Sequence, residues 1–441
     1  MTILPNHPAS PILVWRRHWA TNSRKYRSFG SLRVLQVVCF RKDHCKSNMN
    51  KALRRRIRQQ VQAREKQFFA VTAPGLKQLC LTELRRLIPD AALPTVAPGG
   101  IAFAGRLTDV YLANLCLRTA NRVLMRLLSF KATNFGQLNH HLSGFPWELY
   151  LHAGMDISVR VTARRSRLYH SSAIMERAKR CIRNRLEGSY SPDEAATASA
   201  ANQTIYIRAL EDRFTISVDS SGKPLYKRGI IRSPFAAPIR ETLASAILHL
   251  AGYSGRKPLL DPMCGSGTFS IEAAMIAKHI PPGWFRKFAF MNWPAFKPEQ
   301  WAYLKKNAGK CIRPDAPSLI QASDIQKKAC EELKKSIGRY DLLEGIDVAV
   351  ADFFSLDPDK AAHQPGLIVI NPPYGRRIGS RLESRRLIRA ISDRLKLRYQ
   401  GWQLALILPG RRHISTVPFH LKTHPITHGG LSLTLVEGTI P

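Results

Sequence analysis

Alternating apolar and polar positions divide the first half of the chain into two small modules. An apolar run at residues 68–72 precedes a helical pattern at 76–88, a short strand at 101–104 and a long helical pattern at 110–128. Strand and helix patterns that alternate over so short a span predict a small α+β module over residues 67–144.

A second α+β module is predicted over residues 145–222. Its strand patterns lie at residues 156–161, 205–207 and 214–218. A helix is predicted over residues 172–186 because apolar residues recur there at every fourth position and the remaining surface is basic. This apolar stripe consists of Ile174, Ala178, Ile182 and Leu186.

From residue 223 to residue 441 the pattern changes to continuous apolar strands separated by helices. The predicted strands lie at residues 258–261, 319–324, 348–352, 367–370 and 404–408. Continuous apolar strands joined by helices are typical of a parallel sheet that is covered on both faces. We therefore predict an α/β fold with a Rossmann-like, doubly wound sheet for this region.

The first 66 residues differ from the rest because they contain few acids. Asp43 and Glu65 are the two acids, and the segment closes on a dense basic run, KALRRRIR at residues 51–58. We expect a disordered basic leader over residues 1–66. Two alternatives stay open: an organelle transit peptide, or a reading frame whose true start is Met49.

The charge of the chain points to a polyanionic partner. It carries 68 Lys and Arg against 31 Asp and Glu, a formal net charge of +37. Such an excess concentrates polyanions, and each nucleic-acid phosphate that it neutralises releases counterions. The apolar runs are shorter than the ~18 residues that a membrane span needs. We therefore expect RNA as the partner, and no membrane.

The cysteines suggest neither a disulfide framework nor a metal site. All eight are scattered, without a C-x-x-C pair or a His and Cys cluster at metal-ligand spacing. This usage predicts reduced thiols, no bound metal and a cytoplasmic protein. Cys264 lies in a motif described next, where we interpret it as a small packed residue and not as a nucleophile.

A glycine turn after the first strand of the α/β region is the first candidate site. The motif DPMCGSGT at residues 261–268 places Gly265 and Gly267 where a tight turn needs backbone without a Cβ. The motif opens a helix whose N-terminus a ligand can approach closely. Asp261, at the end of the strand, can receive a cationic amino group. An ordinary tight turn is the alternative.

Two further acids end the next two strands. Asp324 can accept both hydroxyls of a ribose, and Asp352 can accept a hydrogen bond from an adenine amino group. The alternative at each position is a helix cap, which is common for an aspartate at a strand end. Together with Asp261 they indicate a pocket for adenosine joined to an amino acid. This combination predicts S-adenosylmethionine as the cofactor.

The segment NPPYG at residues 371–375 predicts catalytic chemistry. Pro372 and Pro373 stiffen the turn, so that the Asn371 side chain and the Pro372 carbonyl point the same way. These two acceptors suit the hydrogens of an aromatic amino group and direct the nitrogen lone pair at a methyl donor. Tyr374 offers a face on which an extruded base can stack. A merely rigid loop is the alternative.

These motifs resemble those of the THUMP-domain RNA methyltransferases, in particular the bacterial enzymes of the RlmL kind that methylate guanine N2 in 23S rRNA. The resemblance rests on DPMCGSGT, on NPPYGRR at residues 371–377 and on APIRETLA at residues 237–244. It covers about residues 67–441. An insert at residues 282–294, rich in Trp and Phe, separates the first two acids of the pocket and also resembles the family.

The resemblance implies a ferredoxin-like module over residues 67–144, a THUMP RNA-binding domain over 145–222 and one methyltransferase domain over 223–441. It implies amino-group capture by Asn371, Pro372, Pro373 and Tyr374. It implies cofactor binding by Asp261, Pro262, Cys264, Gly265, Gly267, Thr268, Asp324, Asp352 and Asn371. The RNA contacts expected in the THUMP region are Arg164, Arg165, Arg167, Tyr169, Lys179 and Arg183.

Two other functions remain open at this point. An adenine-N6 methyltransferase acting on DNA or RNA would share the NPPY motif, although the module at residues 145–222 favours RNA. A non-catalytic RNA-binding factor for ribosome assembly would share the basic modules but would not bind the cofactor. Cofactor binding and the identity of the methylated base separate these alternatives.

Overall fold

The chain folds around two seven-stranded sheets, one in each half. The computed structural model describes residues 50–89, 93–190, 202–230, 239–316, 319–361, 364–373, 381–419 and 421–441. The leader before residue 50 and Tyr374 therefore lie outside the described residues. The predicted α/β class, with an α+β region before a doubly wound sheet, is confirmed.

The first sheet contains β1 (Lys66–Thr72), β2 (Thr95–Ala97), β3 (Gly100–Gly105), β4 (Ala120–Lys131), β5 (Asp156–Arg164), β6 (Asn202–Leu210) and β7 (Arg213–Asp219). Their order across the sheet is β2-β3-β1-β4-β7-β6-β5. β4 pairs antiparallel with β7. Because this pairing joins strands from the two predicted modules, residues 67–144 and 145–222 share one sheet.

The helices of this half are α1 (Lys51–Ile57), α2 (Lys77–Leu87), α3 (Leu107–Cys116), α4 (Phe135–Gly144) and α5 (Ser171–Glu187). Their buried side chains belong to one core that also contains Phe68, Met125 and Ile205 from the strands. Strand side chains alternate between the two faces of a sheet. The helices therefore cover one face of it. The predicted stripe of α5 is buried.

The prediction of one long helix at residues 110–128 is wrong. α3 ends at Cys116, and β4 begins four residues later at Ala120. Arg118 and Thr119 fall between them, and from Arg122 to Arg126 polar residues alternate only weakly with apolar ones. Tertiary context decides the strand, because β4 is held between β1 and β7 in the middle of the sheet.

The expected disorder of the leader is wrong for its last part. Residues 51–62 are helical, continuing from α1 into a short π-helical turn. Leu53, Ile57 and Val61 are buried in the core of the first half. The Asn50 side chain accepts a hydrogen bond from the Ala52 amide at 2.9 Å and so begins the helix. A basic run with apolar residues every four positions can thus dock as an amphipathic helix.

The second sheet contains β8 (Leu259–Asp261), β9 (Ile320–Asp324), β10 (Ile346–Val350), β11 (Leu367–Ile370), β12 (Gln403–Leu408), β13 (Lys422–His428) and β14 (Leu431–Thr439). The order is β10-β9-β8-β11-β12-β14-β13. The first five strands are parallel, and β13 and β14 form an antiparallel hairpin on β12. The chain reverses its direction of travel between β8 and β11, which is where doubly wound sheets bind ligands.

Helices lie on both faces of this sheet. The helices of this half are α6 (Glu241–Leu250), α7 (Thr268–Ala277), α8 (Pro298–Gly309), α9 (Lys327–Ile337), α10 (Pro358–Ala361) and α11 (Arg381–Arg398). Of these, α8 packs on the core of the first half, through Leu304. One core contains the buried residues of α6, α7 and α9, and a second contains those of α11. Strands enclosed in this way have continuous apolar sequences, as residues 367–370 do.

The Trp- and Phe-rich insert fastens the second half to the first. Phe288, Phe290 and Trp293 are buried in the core of the first half. The Phe290 ring stacks on Tyr111 with centroids 4.4 Å apart, and the indole of Trp293 donates to the Gln203 side chain at 3.0 Å. The insert therefore fixes the second half of the chain against the N-terminal sheet.

None of the described helices combines the length and apolar character that crossing a membrane would require.

Candidate active site

Four predicted site residues lie at the carboxyl edge of the second sheet. Asp261 ends β8, Asp324 ends β9, and Asn371 directly follows β11. Asp352 follows β10 by two residues. β8 pairs with β9 on one side and with β11 on the other. Asp261 therefore stands at the centre of the switch point, with Asp324 on one side and Asn371 on the other.

The glycine turn after β8 has the backbone that the sequence predicts. Gly265 and Gly267 have φ angles of 52° and 71°, in the left-handed region that favours glycine. A Cβ on Gly267 would lie 2.2 Å from Leu333 Cδ1, so α9 packs too closely for a side chain there. A Cβ on Gly265 would meet no atom within 4 Å. Gly265 therefore leaves open space beside the turn.

Asp261 is a buried carboxylate with one unsatisfied oxygen. Its Oδ2 accepts a hydrogen bond of 2.7 Å from the Ser270 hydroxyl, in the first turn of α7. Its Oδ1 is buried, and no residue in the described part of the chain donates a hydrogen bond to it. Burial, with the nearby charge of Asp324, raises the pKa of Asp261 to about 7. A cationic donor at Oδ1 would favour the ionised form.

Ser270 was not predicted from the sequence. It follows Asp261 by nine residues and sits in the turn of α7 that faces the carboxylate. The sequence signal was present, because a hydroxyl three residues into a helix after a glycine turn can reach back to the preceding strand. Its side chain is fully buried. Its effect is to fix the orientation of the Asp261 carboxylate.

Asp324 connects the glycine turn to the next strand. Its Oδ2 accepts from the Gly265 amide and its Oδ1 from the Gln326 amide, both at 2.9 Å. A carboxylate oxygen has two lone pairs, so each oxygen keeps one further acceptor position. Asp324 is half-buried and can therefore both shape the turn and accept hydrogen bonds from a ligand.

Asp352 makes the helix-capping contact that was its alternative role, and Cys264 has the packed position predicted for it. The Asp352 side chain accepts from the Phe354 amide at 3.1 Å and caps a short 3₁₀ helix. Its side chain is exposed. Cys264 is buried, and burial raises the pKa of its thiol far above the usual range. It is a small packed residue, as interpreted, and not a nucleophile.

The described part of the NPPY segment presents an acceptor. Asn371 Oδ1 is buried and has no hydrogen-bond partner among the described residues, although the residue as a whole is half-buried. Pro372 is buried and Pro373 is exposed. Tyr374 lies outside the described residues. Two unpartnered acceptors, Asp261 Oδ1 and Asn371 Oδ1, thus follow neighbouring strands at one edge of the sheet.

A buried ionic cluster is formed around Glu272 of α7, the helix that follows the glycine turn. The Arg228 side chain donates to both oxygens of Glu272, at 2.8 and 3.2 Å, and both residues are almost fully buried. Arg118 lies 3.7 Å from the same carboxylate and donates to the Met275 and Ile280 carbonyls. The cluster joins α7 to the loop after α3 and to the segment that links the two halves.

The residues predicted to contact RNA do not form one surface. Arg164 ends β5 and is exposed. Arg165 forms an exposed ion pair with Glu211 at 3.0 Å. In the same loop the Arg167 amide donates to Asp212, and Tyr169 is 64% exposed. Two others, Lys179 and Arg183, lie on α5 in the helical layer that covers the sheet.

Comparison with known proteins identifies the class. The model of the RMKL-like methyltransferase domain matches residues 228–417, and the model of the RlmL ferredoxin-like domain matches residues 67–124. The sheet with its glycine turn and NPP segment is thus that of a Rossmann-like methyltransferase. A Synechocystis protein named as an RNA methyltransferase is 30% identical over 84% of this chain and 96% of its own length. The chain belongs to the RMKL-like family of RNA methyltransferases.

Another relative is named as a methyltransferase of the large ribosomal subunit RNA. The ribosomal RNA large subunit methyltransferase K/L of Psychromonas ingrahamii is 32% identical over 77% of this chain. The match covers 45% of that relative, so the chain spans about half the length of this longer protein. The sequence-based predictions of a methyltransferase and of a ferredoxin-like lead-in are confirmed.

Two solved structures share the whole architecture. SMU.472, crystallised in complex with SAH, matches 86% of this chain and 98% of its own with a TM-score of 0.76 and 25% identity. A Listeria monocytogenes protein described as an N6-adenine-specific DNA methylase matches 86% of this chain and 97% of its own, with a TM-score of 0.76 and 28% identity. The N-terminal half therefore occurs in proteins described with different substrates.

Proposed function

We propose that this protein transfers a methyl group from S-adenosylmethionine to N2 of a guanine in 23S rRNA. The observation that carries the proposal is the buried Oδ1 of Asn371 at the switch point, one strand away from the buried Oδ1 of Asp261. Neither oxygen has a hydrogen-bond partner within the ranges that the structure describes. Family membership supports RNA as the substrate, and the large-subunit rRNA relatives support the particular RNA.

The residues at the switch point fit the cofactor. S-adenosylmethionine, when bound, supplies an electrophilic methyl group on a sulfonium. Asp261 Oδ1 suits its ammonium group, since this oxygen is buried without a donor. The spare acceptor positions of Asp324 suit the two ribose hydroxyls. The open space beside Gly265 lets the ligand lie against the backbone. SMU.472, bound to SAH, has the same fold.

Asn371 and Pro372 hold the amino group that is methylated. The Asn371 Oδ1 and the Pro372 carbonyl each accept one hydrogen of the exocyclic amine, which turns the nitrogen lone pair toward the donor. The same two acceptors stabilise the positive charge that grows on nitrogen. The extra proton can leave to water, so the proposal does not need a general base. As predicted from the sequence, Asp352 accepts a hydrogen bond from the adenine amino group of the cofactor. Tyr374 stacks on the base that is methylated.

RNA is held by the N-terminal half. In this proposal residues 145–222 act as a THUMP domain, and the loop that follows β5 contacts RNA through Arg164, Arg165, Arg167 and Tyr169. The Arg164 and Arg165 side chains and the Tyr169 ring are exposed. Exposed guanidinium groups bind phosphates and stack on bases, as does an exposed tyrosine ring.

Cofactor affinity is expected to fall as the pH drops below 7. Asp261 has a raised pKa of about 7, so below that pH its carboxyl is mostly protonated and must lose the proton to bind an ammonium group. We expect the dissociation constant for S-adenosylmethionine to rise about tenfold per pH unit below 7. Calorimetry from pH 5 to pH 7 measures it. The Asp261→Asn variant should bind weakly with a flat pH profile, and a flat wild-type profile would contradict the role of Asp261.

Replacing Asp324 should weaken cofactor binding. The Asp324→Ala variant loses two acceptors for ribose hydroxyls and the contact that shapes the glycine turn, so we expect affinity to drop about 10- to 100-fold. Asp347→Ala is the matched control, because this exposed acid lies on the neighbouring strand β10. Equal affinity in the two variants, measured by calorimetry, would remove Asp324 from the cofactor site.

Methyl transfer to defined nucleic acids tests the function itself. Purified protein is incubated with radiolabelled S-adenosylmethionine and either unmodified 23S rRNA or duplex DNA of matched length. The proposal predicts label in the rRNA and none above background in the DNA. Label in DNA alone would favour the adenine-N6 alternative. Calorimetry without detectable cofactor binding would favour the non-catalytic assembly factor.

A further inference from the structure

The face of the first sheet that lies opposite to the described helices is strongly basic. Because side chains alternate, strand pairing assigns each one to a face. One row across the sheet runs through Gln67, Arg126, Ser217, Tyr206 and Arg160, as successive register partners. The opposite row, through Phe68, Met125, Val218, Ile205 and Val159, is buried in the core with the helices.

Seven basic side chains lie on this side, which we call the open face. They are Arg122, Arg126, Lys131, Arg160, Arg164, Arg208 and Arg213. The seven strands contain two acids, Asp156 and Asp219. Asp219 is buried and ion-paired with Arg122, and Asp156 accepts from the Asn202 side chain at 2.7 Å. The arginines of the exposed part therefore greatly outnumber the carboxylates.

The central arginines are stacked on aromatic rings. The guanidinium carbon of Arg126 lies 4.5 Å from the centre of the Phe69 ring, and that of Arg122 lies 5.4 Å from Tyr206. Burial, together with the charge of Arg208, lowers the pKa of Arg126. Crowded like charges on a partly buried surface are costly unless a polyanion neutralises them.

The open face curves across the sheet, and the central strand β4 begins beside the second half of the chain. Arg208 donates to the Pro98 carbonyl, 3.4 Å away in the turn between β2 and β3, so the sheet curls toward this side. At the start of β4, the Asn121 side chain accepts from Thr242, in the first turn of α6.

We propose that the open face is the surface on which RNA binds, through phosphates along its arginines and through bases stacked on the guanidinium planes. The inference rests on the proposed function and assigns its RNA contact to one surface of the protein. Of the residues predicted from the sequence, Arg164 belongs to this face. Lys179 and Arg183 do not, because α5 packs against the opposite face.

Two charge-matched double variants test the assignment. Arg160→Gln with Arg213→Gln removes two exposed charges from the open face, whereas Arg85→Gln with Arg86→Gln removes two exposed charges from α2 on the helical side. The probe is a fluorescein-labelled RNA hairpin with a single-stranded loop, titrated at several salt concentrations. A third double variant, Lys179→Gln with Arg183→Gln, represents the competing surface on α5.

We expect the open-face variant to bind at least tenfold more weakly and its log–log salt slope to fall by about 1.5, since two phosphate contacts are lost. The α2 and α5 variants should stay within about twofold of wild type. Equal losses in all three variants, or a loss confined to the α5 variant, would overturn the inference.

Methylation by the wild-type protein tests the proposed function separately from the binding surface. If wild-type protein methylates rRNA but the open-face variant binds like the α2 variant, the inference fails and the function stands. If wild-type protein binds the hairpin through the open face but methylates no RNA, the function fails and the surface stands. Cofactor calorimetry on each variant confirms that the catalytic half is folded.

Discussion

Replacing Asn371 with alanine is expected to lower the rate of methyl transfer by at least about a hundredfold while leaving cofactor affinity within about twofold of wild type. The reason is that Asn371 Oδ1 is a buried acceptor to which no described residue donates, and in this account it receives a hydrogen of the base amine. The effect therefore falls on kcat, because the contact is strongest as charge develops on nitrogen.

Two further variants make this prediction sharp. Asn371→Asp keeps an acceptor oxygen at the same position and should retain more activity than the alanine variant. Asn307→Ala, on α8 in the insert region, removes a half-buried asparagine outside the site and should leave the rate unchanged. Single-turnover transfer and calorimetry measure rate and affinity separately. A variant that loses cofactor affinity but keeps its rate would assign Asn371 to the cofactor.

Replacing Arg228 with methionine is expected to destabilise the protein by about 3–5 kcal/mol. Burial alone would raise the pKa of Glu272, but the Arg228 and Arg118 guanidinium groups hold it below its usual value. Without Arg228 the carboxylate remains buried with one guanidinium 3.7 Å away. The thermal unfolding midpoint, followed by circular dichroism, should fall by roughly 10 °C.

A double variant and a control variant separate the cost of a buried, unpaired carboxylate from the loss of an ion pair. Removing both partners, as Arg228→Met with Glu272→Met, should restore a large part of the stability, because no uncompensated carboxylate is left. Arg398→Met breaks an exposed ion pair with Asp357 of 2.9 Å and should cost less than about 1 kcal/mol. If Arg398→Met and Arg228→Met shifted the unfolding midpoint equally, the buried ion pair would contribute no more to stability than the exposed one.

Much of the catalytic half could be predicted from the sequence because its signals are local. The strand at residues 367–370 is a continuous apolar run, and the strands predicted at 319–324 and 367–370 both appear within one residue of those bounds. The glycine turn was predicted from Gly265 and Gly267, whose positive φ angles confirm it. The strand-end positions of Asp261 and Asp324 follow directly from the same runs. Their placement at one edge follows from the parallel order.

The features that the sequence did not predict depend on contacts between distant residues. β4 was mistaken for the end of a helix because its pairing with β1 and β7 decides its conformation. The ion pair of Arg228 with Glu272 joins residues 44 positions apart. The helix at Lys51–Ile57 is stabilised by the N-terminal core and not by its own propensity.

The sequence also did not show, for the same reason, that the predicted RNA contacts lie on two sides of one sheet. Arg164 and Arg183 are both basic and lie in one module, so their sequence gives no indication that a sheet separates them. The faces are assigned by register, which depends on the pairing of β5 with β6 and of β6 with β7. Alternation within each strand was visible, but the partners of each strand were not.

Nucleoside analysis of 23S rRNA from a strain that lacks this protein, compared with its parent, tests the central claim most directly. The account predicts that one N2-methylguanosine is missing from the deletion strain. Wild-type protein should restore it, and the Asn371→Ala variant should not. An unchanged set of methylated nucleosides in the RNA, or loss of N6-methyladenosine instead, would contradict the account.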